Sequence, residues 1–331
     1  MSAATAAVPA SPTTERARAF VAEHQAMAEA LGREAGDRIQ EPAAAVDVLL
    51  AGLRDLSDPE YLEGQRRVAP GIGAVLGVRQ PLLGAVSRGL KAATRRDHPD
   101  TLLDLARRLV VAEPLELHWL ADDLLARTIA AEPERTWQLV RAEARDAADW
   151  ITVDSLAHVA ARGIVAEPYR WAELEQLVYS PSRWERRLVG STIATLPFED
   201  RVAGRSPEVA RHGLAILRDL IGDDEPDVQK AISWALRSLT LVDADATAGF
   251  LRAEAATARA TDDGHRAWVV RDALEKLDPA TATELRTVVD GIRRRPGAAS
   301  TSRAAETARS FIDMGVDVQP VDRWVVPRGP E

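Results

Sequence analysis

Three stretches of this chain place a tryptophan and a charged side chain one helical turn apart, on the same face of a helix. They are Trp150 with Asp154, Trp184 with Arg187, and Lys230, Trp234 and Arg237 within the run at 229–237. An aromatic face attracts cations, and a guanidinium is well shaped to grip phosphate. Taken singly, a tryptophan at helical spacing is usually core and the charge beside it a rim residue. Three such groups at intervals of 34 and 50 residues are harder to explain that way. On successive helix pairs with equivalent faces turned inward, Trp150, Asp154, Arg187 and Trp234 converge on one concave surface.

Other chemistries are poorly supplied. The 331 residues include no cysteine, which excludes thiolate nucleophiles, disulfides and cysteine-ligated metals. The six histidines, His24, His98, His118, His158, His212 and His265, never fall at i, i+4 of one another, so a two-histidine helical metal site is absent. Gly71, Gly73 and Gly77 superficially resemble a dinucleotide loop, but no strand precedes them and no βαβ unit surrounds them. Neither a Gly-x-x-x-x-Gly-Lys phosphate loop nor a Gly-x-Ser-x-Gly elbow occurs. No metal and no cofactor is expected. No run reaches the roughly 18 apolar residues a membrane span needs, and the first residues lack a signal peptide's pattern, so the reading is cytoplasmic. The net charge of −9 argues against a general nucleic-acid binder. It does not decide the matter, because the local field at a cleft governs binding.

Helical periodicity runs almost throughout, and no segment alternates like a strand. An acid followed by proline recurs as a helix start at Glu41-Pro42, Glu113-Pro114, Glu132-Pro133, Glu167-Pro168, Glu225-Pro226 and Asp278-Pro279. Proline suits the first helical position and the acid complements the helix dipole. The step of 35 residues from Glu132 to Glu167 matches one helix–turn–helix repeat. The expected fold is all-α, an α-solenoid of HEAT-like helix pairs with one concave face. About a dozen helices fit between residues 15 and 295. Residues 1–14 read as a disordered arm and 296–331 as a polar, loosely attached tail with one apolar island at Trp324, Val325 and Val326. A Gly-rich loop interrupts the early helices within 58–81.

The run at 229–237, Gln-Lys-Ala-Ile-Ser-Trp-Ala-Leu-Arg, resembles the QKAIxWxLR signature of the AlkD-like DNA alkylation repair family. Gly77 to Pro81 is similar to its early G-[IV]-x-x-P segment, Trp150 to Asp154 to its W-x-x-V-D element, and Trp184 to Arg187 to its W-x-x-R element. Tyr61 takes the place of the family's early tyrosine. The chain departs from the family in having Ile151 where an aspartate often follows the first tryptophan. The resemblance implies a DNA glycosylase that removes N3- or N7-alkylated purines from double-stranded DNA. Asp154 would stabilise the oxocarbenium character that develops on the deoxyribose, and Trp150 and Trp234 would offer faces to the cationic base or the sugar. Arg187, Lys230 and Arg237 would hold phosphates, with Trp184 and Tyr61 as further DNA contacts. A monomer without cofactor is expected. Two other readings remain open at this stage: a non-catalytic solenoid that binds DNA or a protein, and a self-resistance glycosylase for bulky alkyl adducts.

Overall fold

The computed structural model of the protein describes residues 12–313, and every regular element among them is a helix. In chain order these are α1 (Pro12–Asp37), α2 (Pro42–Asp55), α3 (Pro59–Val68), α4 (Gln80–Ala93), α5 (Pro99–Leu109), α6 (Leu115–Thr128), α7 (Pro133–Asp146) and α8 (Trp150–Ala166). There follow α9 (Arg170–Gln176), α10 (Arg183–Glu199), α11 (Pro207–Leu220), α12 (Pro226–Leu239), α13 (Ala244–Thr261), α14 (Gly264–Ala273), α15 (Pro279–Val288) and α16 (Arg303–Asp313). No described helix is long and apolar enough to cross a membrane.

The acid–proline starts explain four of these helices directly. Pro42, Pro133, Pro226 and Pro279 each open their helix, preceded by the acid at the cap position. At the other two, Glu113-Pro114 and Glu167-Pro168, α6 and α9 begin at Leu115 and Arg170 instead. Aspartate caps more directly than glutamate: Asp278 accepts from the Thr281 N–H at 2.9 Å, whereas Glu41, Glu132 and Glu225 make no such bond. Its shorter side chain reaches the orphan amides without folding back.

The segments expected to be irregular are partly helical. Residues 12–14 lie in the first turn of α1, α3 occupies part of 58–81, and α16 falls within 296–331. Residues 300–302 are tied down, with the Thr301 N–H donating to the Gly222 carbonyl at 2.9 Å and Arg266 donating to Thr301 O at 3.3 Å. Residues 1–11 and the island at 324–326 lie outside the described residues.

The chain divides into two compact units between Arg127 and Thr128. In the first, α1 and α4 run parallel in close contact because small residues line the seam. A Cβ added at Gly32 would lie 1.9 Å from the Val86 carbonyl oxygen, and one at Gly89 would lie 2.0 Å from that of Glu29. The Gly-rich loop belongs here too. The carboxylate of Glu116, fully buried, accepts from the backbone N–H groups of Leu76, Gly77 and Val78 at 2.9–3.3 Å. Gly77 makes this nest of amides possible with φ at +81°. The chain's own carboxylate therefore fills the place a phosphate would take in a phosphate-binding loop.

In the second unit, α8, α10, α12 and α14 pack side by side as parallel helices. Bonds between neighbours in this row join residues 33 to 41 apart, the length of one helix pair. Gly190 brings α10 and α12 closest, since a Cβ there would meet Ala231 backbone at 2.7 Å. Helices α7, α9, α11 and α13 pack against this row, and α15 packs against α13 and α14. Between these helices lies a Leu-, Val- and Ala-rich core that includes Trp137.

Several acids of this unit are buried, and at one of them the consequence for stability is large. Burial pushes the Glu143 carboxyl of α7 up to about 8. From about pH 4.5 to 8 the folded protein holds a proton that the unfolded chain has released. Stability should therefore fall as pH rises through that window, by up to about 1.4 kcal/mol per unit. Thermal melts between pH 5 and 8 should show this decline, and Glu143→Gln should flatten it. A melting temperature that rises across the same range in the unaltered protein would contradict the assignment.

Candidate active site

Asp149 sets the start of α8: its side chain accepts from the Ile151 and Thr152 N–H groups at 2.9 Å. Trp150 is thereby fixed in the first turn, with Asp154 one turn later on the same side. Both are partly exposed.

Asp154 is held by two residues of α10. Arg187 donates from Nε to Oδ1 at 3.0 Å and from Nη2 to Oδ2 at 2.7 Å, while Ser191 donates to Oδ1 at 2.6 Å. The fork geometry fixes the plane of the carboxylate. The remaining Arg187 nitrogen, Nη1, donates to the Asp227 carbonyl of α12 at 2.7 Å, and the guanidinium stands 5.8 Å from the centre of the Trp150 ring. The Arg187 side chain is only 6% exposed, against 20% for Asp154, so the carboxylate is the member of the pair that solvent reaches. Every nitrogen of Arg187 is engaged inside the protein. Its sequence position suggests a phosphate contact; in the structure two of its nitrogens bond Asp154 and the third bonds the Asp227 carbonyl.

Asp227, Lys230, Trp234 and Arg237 form one stripe along α12. Lys230 is exposed and Trp234 half-buried. Arg237 is in an ion pair with Asp272 of α14 at 2.7 Å, and the Ser233 hydroxyl donates to the same oxygen at 2.6 Å. Trp184, half-buried in the first turn of α10, lies under Arg183 at 4.6 Å. The structure thus brings Trp150, Asp154 and Arg187 into direct contact. Trp234, Lys230 and Arg237 connect to them only along α12. Tyr61 belongs to the first unit, where Arg79 stands over its ring at 5.1 Å and Asp58 accepts from Arg79 at 2.7 Å.

The tryptophans sort by burial. Trp119, Trp137 and Trp171 are core residues, whereas each helix of the parallel row carries one partly exposed tryptophan: Trp150, Trp184, Trp234 and Trp268. Arginines lie over three of these rings. Among the described residues no cation lies over Trp234.

Two features were not anticipated from the sequence. Gln229 is fully buried, binding the Asp223 carbonyl at 2.6 Å and His265 at 3.1 Å while accepting from Arg294 at 2.8 Å. Trp268 and Asp272 of α14 repeat the spacing of Trp150 and Asp154, a signal present in the sequence. No group of three or more His, Asp or Glu residues among the described residues is placed to hold a metal ion.

No curated protein matches the chain significantly. Residues 49–277, more than half of the 331, match a family model described as DNA alkylation repair enzyme. With that match over the segment that carries the Trp150–Asp154–Arg187 cluster, the chain belongs to the DNA alkylation repair enzyme family.

Proposed function

We propose that this protein is a DNA glycosylase that releases N3- or N7-alkylated purines from duplex DNA by hydrolysing the N-glycosidic bond. In this reading residues 15–295 form a HEAT-like solenoid whose concave side carries the row α8, α10, α12 and α14. It acts as a cytoplasmic monomer without cofactor, with residues 1–14 and 296–331 as appendages. The observation that carries the reading is the carboxylate of Asp154, fixed by Arg187 and Ser191, accessible to solvent and set beside Trp150.

The chemistry follows from the lesion. An alkylated purine is cationic, so its bond to C1′ is weak. As that bond breaks, the electron pair passes to the base and neutralises it, and positive charge moves to the sugar. Asp154 stabilises that charge and orients the water whose oxygen bonds to C1′, with the surplus proton released. The partly exposed ring of Trp234 offers its face to the cationic base. Lys230, exposed on the same stripe, faces the phosphates, and Trp184 and Tyr61 are further contacts.

The test is incubation with duplex carrying 7-methylguanine or 3-methyladenine, scored for free base. Release supports the reading. Binding without release would leave a non-catalytic solenoid in its place.

Trp234 separates core from site. Truncating a fully buried tryptophan costs about 3–5 kcal/mol. Trp234 is half-buried, between exposed Lys230 and half-buried Arg237 on the same stripe. Trp234→Ala should therefore lose less stability than that while base release falls. A collapse in melting temperature would return Trp234 to the core.

A further inference from the structure

At the α14 end of the parallel row, several cations form no ion pair among the described residues. Nearer the Asp154 cluster the arginines are neutralised: Arg186 pairs with Asp223, Arg187 with Asp154 and Arg237 with Asp272. Lys230, Arg271, Arg293 and Arg294 pair with no carboxylate among the described residues. Arg271 donates to the Val289 carbonyl at 2.9 Å, and exposed Arg293 only to the Ile292 carbonyl at 3.4 Å. Burial pushes the Arg271 guanidinium down, and Arg293 and Arg294 add repulsion that Asp290 partly offsets.

Arg294 is held in place. Its Nη1 donates to Gln229 Oε1 at 2.8 Å, and its guanidinium lies 4.8 Å from the centre of the Trp268 ring. Gln229 is itself fully buried and fixed by the Asp223 carbonyl and His265. One guanidinium nitrogen is used in this way. The others remain available on an exposed residue. A protein of net charge −9 that leaves Arg271, Arg293 and Arg294 without an ion pair near one another has a surface suited to a polyanion.

We propose that Arg293, Arg294 and Trp268 form a second DNA contact that grips the duplex backbone away from the reacting base. The inference rests on the glycosylase reading only for the location of that base at Asp154. Three helix-to-helix steps separate α8 from α14. At about 8–10 Å each they span roughly 24–30 Å. With two backbone charges per about 3.4 Å of duplex, that is a reach of about 8 base pairs. The contact engages phosphates, so it carries no sequence preference.

The experiment uses the full chain and duplexes carrying one 7-methylguanine, with each arm shortened in turn from 14 to about 3 base pairs. Affinity of the unaltered protein should rise several-fold when one particular arm passes about 8 base pairs. Arg294→Ala should lose that gain and lower the log–log salt slope on the long duplex by about one. Arg293→Ala, at an exposed position where folding is not at stake, should do the same. A gain that survives in Arg293→Ala overturns the proposal, as does a protein indifferent to either arm. Release of 7-methylguanine reports separately on the reaction. Arm-dependent, variant-sensitive binding without release would sustain this contact and remove the glycosylase reading.

Discussion

Asp154→Asn should reduce base release by about two to three orders of magnitude, the loss typical when one preorganised group that stabilises transition-state charge is removed. The substitution keeps the shape and deletes the negative charge. Affinity for duplex should stay within a few-fold, because in the proposed mechanism the carboxylate serves the sugar and makes no phosphate contact. Stability needs separate attention. Asp154 presently accepts from Arg187 through both oxygens, and an amide offers only one acceptor. Its NH2 would then face a guanidinium N–H, a loss of about 1–3 kcal/mol. A thermal melt run beside the assay distinguishes an inactive folded enzyme from an unfolded one. Excision at the unaltered rate in a folded Asp154→Asn protein would remove Asp154 from the mechanism.

What the sequence revealed and what it hid follow one physical line. Spacings within a helix were legible: Trp150 with Asp154 and Trp234 with Lys230 share faces because 3.6 residues complete a turn. Helix starts marked by an acid and proline were legible at four of the six sites for the same local reason. Contacts between helices were not. Arg187 and Arg237 looked free for phosphate because their carboxylate partners lie 33 and 35 residues away, on a neighbouring helix whose register only packing reveals. The same applies to Glu116, which fills the amide nest of the Gly-rich loop from about 40 residues away. The tail shows the limit of composition. Its polar residues suggested detachment, yet Thr301 and Ser300 use their polarity to bind Gly222 and Asp263. Trp268 and Asp272 repeat the i, i+4 spacing on α14, whereas Arg294, which stands over Trp268, comes from beyond α15 and only packing reveals it.

Arg187→Ala is expected to damage both activity and stability, and Arg187→Lys should rescue neither fully. Arg187 links three helices of the row, accepting no help from solvent: two donors go to Asp154 of α8 and a third to the Asp227 carbonyl of α12. Removing one partner of a buried ion pair costs about 3–5 kcal/mol, and the partial exposure of Asp154 places this case at or below the lower end of that range. Without the fork the carboxylate retains only Ser191, so it rotates and the charge it offers C1′ is misplaced. A loss of base release approaching that of Asp154→Asn follows. Lysine restores the charge as a point and cannot reproduce the two parallel bonds. The double variant Arg187→Ala with Asp154→Asn should be hardly worse than the more damaging single one, since both remove the same oriented carboxylate. The salt dependence of duplex binding identifies the role. A guanidinium that grips phosphate lowers the log–log slope by about one when removed, whereas one engaged inside the protein leaves it unchanged. We expect no change for Arg187→Ala, in contrast to Arg293→Ala. A lowered slope with base release intact would make Arg187 a phosphate ligand and leave Asp154 to be oriented by Ser191 alone.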